Sequence, residues 1–128
     1  MGTSAIIILE KENNQGFDAV SVNYDGYLNH TGRMLLQHYN SVEKVQELIQ
    51  LGDLSFLDQT LQESIFYHRD RNESWYNNNP RQSSRLHDLT MFDYSWAYLM
   101  DRDGTWKVAH VGMGQDSFEL LTSKHTDE

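Results

Sequence analysis

The chain has 128 residues with 38% hydrophobic and 12% aromatic content, enough for one packed core and too apolar for a disordered segment. Ten basic against nineteen acidic side chains give a formal net charge of −9, which argues against direct nucleic-acid binding. Cysteine is absent, which excludes disulfides and thiolate metal sites, and no apolar run approaches the ~20 residues of a membrane span.

The opening "MGTSAIIILE" lacks the basic start and cleavage site of a signal peptide, so a soluble, intracellular protein is expected. Ala5 to Leu9 is a short β-branched run that suits a buried strand. "ENNQG" (12–16) supplies turn residues, and Ala19, Val20, Val22 and Tyr24 continue as a second strand, giving a hairpin over 5–24. Asp25-Gly26 ends it. A helical stretch follows, with Asn29 or Thr31 as cap and Met34, Leu35 and Tyr39 near helical spacing. Val42, Val45, Leu48 and Ile49 then mark one face of a helix over 42–51, which Gly52 stops. "DLSFL" (53–57) reads as a turn folding back onto that helix.

Residues 62–67 fit a third strand, with Ile65 and Tyr67 on one face. Ser83 or Ser84 can cap a short helix through Leu86, Leu89 and Phe92. "YSWAYLM" and "TWKVAHV" flank "DRDG" as a strong hairpin signal. "GMGQD" (112–116) reads as a loop, "SFELL" as an edge strand and 122–128 as a frayed tail. No repeat or linker divides the chain. The expected class is therefore α+β within a single domain over 1–128: an antiparallel sheet of about five strands with two to three helices on one face.

Two stretches hold candidate binding residues. "YHRDRNESWYNNNPRQSSR" (67–85) carries Arg69, Arg71, Arg81 and Arg85 against Asp70 and Glu73, a local +2 in an acidic chain. If "IFYHRDR" continues as a strand, Arg69 and Arg71 share one face while His68 and Asp70 share the other. Such arginines beside Trp75 and Tyr76 can hold a phosphate and stack a base; equally, they can pair with the chain's acids. "NYDGYLNHTGR" (23–33) brings Tyr24, Asp25 and Tyr27 to a glycine turn before a helix start and Arg33, an arrangement open to an anion or to a plain structural turn. Catalytic signals are weaker. No G-x-S-x-G elbow is present, and His68, Asp70 and Glu73 form only a loose metal-ligand set. Trp96 and Trp106 suit the hairpin's core better than a stacking site. No cofactor motif is present.

The run "VNYDGYLNHTGRMLLQHYNSVEKVQELIQLGDLSFL" carries Asp25-Gly26-Tyr27, Leu35-Leu36-x-His38-Tyr39, Lys44-Val45-x-x-Leu48 and Gly52-Asp53-Leu54-Ser55. With "YHRDR" at 67–71, this pattern resembles a family of small proteins encoded by phages and prophages; Asn72 stands where that family has glycine. The resemblance covers roughly 20–74 and implies a phage accessory protein in the cytoplasm of an infected bacterium. It lends no catalytic residue. It favours a non-enzymatic counter-defence or host-takeover inhibitor, whose acidic surface blocks a host or defence protein such as a nucleic-acid-binding nuclease complex. The alternatives are a sponge holding a nucleotide signal through the arginine and aromatic residues, and a small metal-dependent hydrolase or nuclease. A homodimer through an open sheet edge fits the same reading.

Overall fold

The structure, a computed structural model, describes residues 3–12, 15–91, 94–110 and 118–126. Its sheet is built around β1 (Ala5–Glu10), whose first five residues are buried because neighbours flank both edges and both faces are covered. On one edge β1 pairs antiparallel with β2 (Phe17–Val22), completing the expected hairpin. On the other it pairs in parallel with β6 (Trp96–Met100), which turns through Asp101–Gly104 into β7 (Trp106–His110). Asp101 closes that turn: its carbonyl accepts the Gly104 N–H and its carboxylate accepts the Thr105 N–H. β8 (Glu119–Leu120) adds the edge strand expected from "SFELL".

The outer edge of β2 is divided. β3 (Leu54–Phe56) pairs in parallel at Val22, with β4 (Ile65–Phe66) beyond it. β5 (Arg81–Ser83) pairs antiparallel with Phe17–Ala19. The expected five-stranded antiparallel sheet is thus corrected to a mixed sheet, eight-stranded among the described residues. Hairpin signals register only strands adjacent in sequence, whereas both parallel pairings are made across intervening helices. β3, β4 and β5 have two or three residues each, too few to show a period.

Helices cover both faces, not one. Ile7, Leu9, Val20, Val22, Tyr98 and Met100 pack beneath α1 (Arg33–His38) and α2 (Val42–Gln50). On the opposite face Ile6, Ile8, Ala19, Ala97 and Leu99 form a second cluster with Leu89 of α5 (Leu86–Thr90). α2 follows its apolar periodicity: Val45, Leu48 and Ile49 are buried, and the Ser41 hydroxyl caps it by accepting the Lys44 N–H at 3.3 Å. Gly52 takes φ +89° as the chain leaves the helix.

Other local expectations change. α1 is entered through a π-helical turn (Leu28–Gly32) without a side-chain cap, and Thr31 donates its hydroxyl back to the Asp25 carbonyl. "DLSFL" contains β3 instead of a turn. The strand expected at 62–67 shrinks to Ile65–Phe66, and the chain enters α3 (Tyr67–Arg71). Asn72 ends α3 at φ 57°, the left-handed conformation that glycine takes without strain and asparagine tolerates. α4 (Trp75–Asn78) follows. No side chain caps α5 at Arg85, but the Ser83 hydroxyl accepts the Arg85 N–H and bonds Asp88. In the expected tail, Ser123–Thr126 form α6, and Thr126 is buried. Phe92 and the loop at 112–116 lie outside the described residues. Among the described residues no helix is long and apolar enough to cross a membrane.

Candidate functional site

Where β5 gives way to β3 along β2, Ser21 has no strand partner on that edge. Its N–H donates instead to Asp53 Oδ1 at 2.9 Å. Arg81 completes this junction with bonds of 2.8 and 3.2 Å to the two oxygens of the buried Asp53 carboxylate. Burial opposes the Arg81 charge, but the bond and the charge of Asp53 outweigh it and raise its pKa. The Asp53 backbone joins two more elements, donating to the Asn78 carbonyl and accepting the Tyr67 N–H. Arg81 is therefore committed to the fold.

Arg69 is committed as well. Its guanidinium donates to both oxygens of Asp70 at 2.9 Å and to the carbonyls of Leu61 and Ser64 at 2.7 and 2.9 Å. It also lies over the Phe66 ring. Asp70 in turn accepts the Phe66 N–H at 2.7 Å, and its pKa is lowered, first by the Arg69 bond. The His68, Asp70 and Glu73 side chains do not converge on one point. His68 Nδ1 engages the Glu73 carbonyl at 2.8 Å while its ring faces Trp75. No group of three His, Asp or Glu among the described residues can hold a metal ion.

Arg71 and Arg85 are exposed and make no ion pair among the described residues. Arg71 rests over the Tyr67 ring, whose hydroxyl accepts from Asn23. The four arginines of 67–85 thus take separate tasks and do not form one phosphate pocket.

In the 23–33 turn the backbone groups are engaged internally. Asp25, at φ 56°, accepts the Thr31 N–H, and Tyr27 accepts those of His30 and Gly32. Gly26 donates to the Thr3 carbonyl and accepts the buried Tyr98 hydroxyl at 2.7 Å; a Cβ there would stand 2.8 Å from the Thr3 oxygen. Arg33 reaches the Thr126 carbonyl. Tyr24 and Tyr27 are exposed, and the Tyr27 ring meets His30 edge-on.

What remains open centres on α4. Tyr76 is 87% exposed and Trp75 40% exposed, on a turn fixed from both sides. Asn78 donates to the Ser74 carbonyl at 2.7 Å and accepts the Asp53 N–H at 2.8 Å, while Gly52 allows close approach. A Cβ at Gly52 would fall 2.4 Å from the Asn78 oxygen and 3.0 Å from the Trp75 ring. Two adjoining cavities flank Trp75. One, of about 480 Å³, meets His68 and Arg69; the other, of about 400 Å³, meets Asp18, Gln46 and Gln82, and both include Gln50. Sequence patterning drew attention to Trp75 but not to Asp18 or the glutamines, which come together from three distant segments. The one local signal is Asp18 itself, an acid at an inward-facing position of β2. The chain matches no family model, no curated protein and no solved structure.

Proposed function

We propose that this chain acts by binding a protein partner, as a phage-encoded inhibitor of a host or defence protein in the bacterial cytoplasm. The observation that carries the reading is the exposure of Tyr76 beside Trp75 on an anchored turn. Large aromatics held rigidly at a surface lose little conformational freedom on binding and supply much of the energy of protein interfaces. The net charge of −9 fits a basic partner, and Glu43, Glu47, Glu73 and Asp103 are exposed and make no ion pair among the described residues. Such a surface steers the chain toward a cationic channel of the kind that holds nucleic acid. A phosphate sponge built on the arginines has less support, because Arg69 and Arg81 already serve internal acids.

The test is affinity capture from phage-infected, defence-carrying bacteria, using the native chain and Tyr76→Ala at low and high salt. The expected result is one protein retained by the native chain, weakened by salt and lost with Tyr76→Ala. Equal retention by both forms would overturn the anchor, and a copurifying nucleotide without any protein would overturn the reading.

A further inference from the structure

Ser21 turns its N–H to the outer edge of β2 because hydrogen bonds alternate in direction along a strand. Lys11 donates to the Gly16 carbonyl on the β1 side, so Asp18, Val20 and Val22 also bond toward β1, while Phe17, Ala19 and Ser21 bond outward. Asn23, next in the outward series, donates to the Leu54 carbonyl of β3, in keeping with this phase. β5 therefore uses the backbone of Arg81 and Ser83 to pair with Ala19 and Phe17. Gln82, opposite Asp18, turns its N–H and carbonyl away from β2. Gln82 is exposed, and among the described residues β5 pairs with no strand other than β2. An open edge of this kind is a template for an added strand.

The side chains beside this edge select what is added. Gln82 and Asp18 share one face of the sheet, and a cavity of about 400 Å³ lies over them, walled by Gln46, Gln50 and Trp75. Its lining includes one acid and no base. Asp18 Oδ1 is buried and faces the Lys11 ammonium at 3.3 Å, while 23% of the side chain is exposed, so the open part of Asp18 lies away from Oδ1.

We propose that the edge of β5 takes an extended segment of the protein partner, paired antiparallel with Gln82, and that an arginine of this segment enters the cavity. The inference rests on the reading of the chain as a protein binder and names the part of the partner that is held. In such a pairing the residue opposite Gln82 exchanges two main-chain bonds with it and sets its own side chain on the face of the cavity. Asp18 then lies two strands away, about 10 Å. Only a long side chain spans that distance. The acid and the three glutamine oxygens of the lining call for several donors at its tip. Arginine supplies both, and its weakly hydrated guanidinium stacks on an indole such as Trp75. Leu9 and Ile49 offer apolar surface to its stem. The segment carries the sign of charge that a chain of net −9 attracts.

The experiment titrates the full chain into a fluorescein-labelled peptide, Ser-Thr-Val-Arg-Val-Thr-Ser, and follows its anisotropy. Saturable binding that weakens with salt is expected. A peptide with glutamate in place of the arginine, and one N-methylated at the arginine amide, should each bind at least about tenfold more weakly. Gln82→Pro removes the outward N–H at a position where an edge strand accepts proline, and should weaken binding about tenfold. Gln46→Lys sets a cation in the cavity wall from an exposed position on α2 and should do the same. Melting curves identify any variant that loses its fold. Absence of saturable binding, equal binding of the three peptides, or native affinity in a folded Gln46→Lys overturns the proposal. A dimer of the free chain, seen by light scattering and undisturbed by the peptide, would give the edge to a second copy and overturn it as well. Failure of the peptide with partner capture intact overturns this inference alone; failure of both overturns the protein-binding reading too.

Discussion

Arg81 grips Asp53 through two hydrogen bonds, 2.8 and 3.2 Å long, from opposite ends of the segment that carries α3 and α4. The same carboxylate takes the Ser21 N–H that the divided edge of β2 leaves without a strand partner. One acidic side chain thus joins β2, β3 and β5, and its backbone holds α3 and α4. The position of Trp75 and Tyr76 therefore depends on a junction buried beneath them.

Asp53→Ala should destabilise the chain by about 3 kcal/mol, since it strands a part-buried guanidinium and a buried N–H together. Arg81→Ala should cost less, because the Asp53 carboxylate it leaves behind keeps the Ser21 N–H as a donor. Urea unfolding midpoints check the order, and equal midpoints would contradict the junction's asymmetry.

Leu48 lies at 0% exposure on the inward face of α2. Leu48→Ala should remove about 2–5 kcal/mol by opening a cavity between α2 and the sheet. An unchanged denaturation midpoint would place α2 elsewhere.

α2 was legible because two independent signals agree: the 3.6-residue period of Val45, Leu48 and Ile49, and the Gly52 stop. The two hairpins were legible because turn residues separate runs that pair with each other. The parallel pairing of Ala5–Leu9 with Trp96–Met100 was not, since nothing local to either strand names a partner about ninety residues away. "IFYHRDR" misled because its alternation suits a strand, while Asp70 binds the Phe66 N–H and Asn72 takes a left-handed stop, so the chain coils. Asn72 was the available signal for that helix end. At the candidate site, Trp75 stood out by type, whereas Asp18 and Gln82 become neighbours only through the β2–β5 pairing.

The Asp70 carboxyl lies below its ordinary value of 3.8, held there first by the Arg69 bond and further by the Phe66 N–H. A depressed folded pKa gives stability that is present above the unfolded value and lost as pH falls through the folded value. Stability should therefore decline as pH falls below about 3.8, and Asp70→Asn should flatten part of that decline. The side chain is 32% exposed, so solvent screening keeps the effect under about 1 kcal/mol. Melting temperatures of both forms between pH 2 and pH 6 measure it; parallel curves would show that the Arg69 bond does not persist in solution.

Charge reversal separates the two arginines of "YHRDR". Arg69→Glu sets a carboxylate against Asp70, which keeps only the Phe66 N–H, and against the carbonyls of Leu61 and Ser64, which lose the Arg69 donor. That should cost about 1–3 kcal/mol, or several degrees of melting temperature at this chain length. Arg71→Glu removes only a contact with the exposed side of the Tyr67 ring and should stay within about 1 kcal/mol of the native chain. Any loss of partner retention in a normally melting Arg71→Glu is then a surface effect, while loss in Arg69→Glu follows from disturbing the turn that leads to Trp75. If both variants melt with the native chain, the network drawn around Arg69 does not hold the 61–70 segment together.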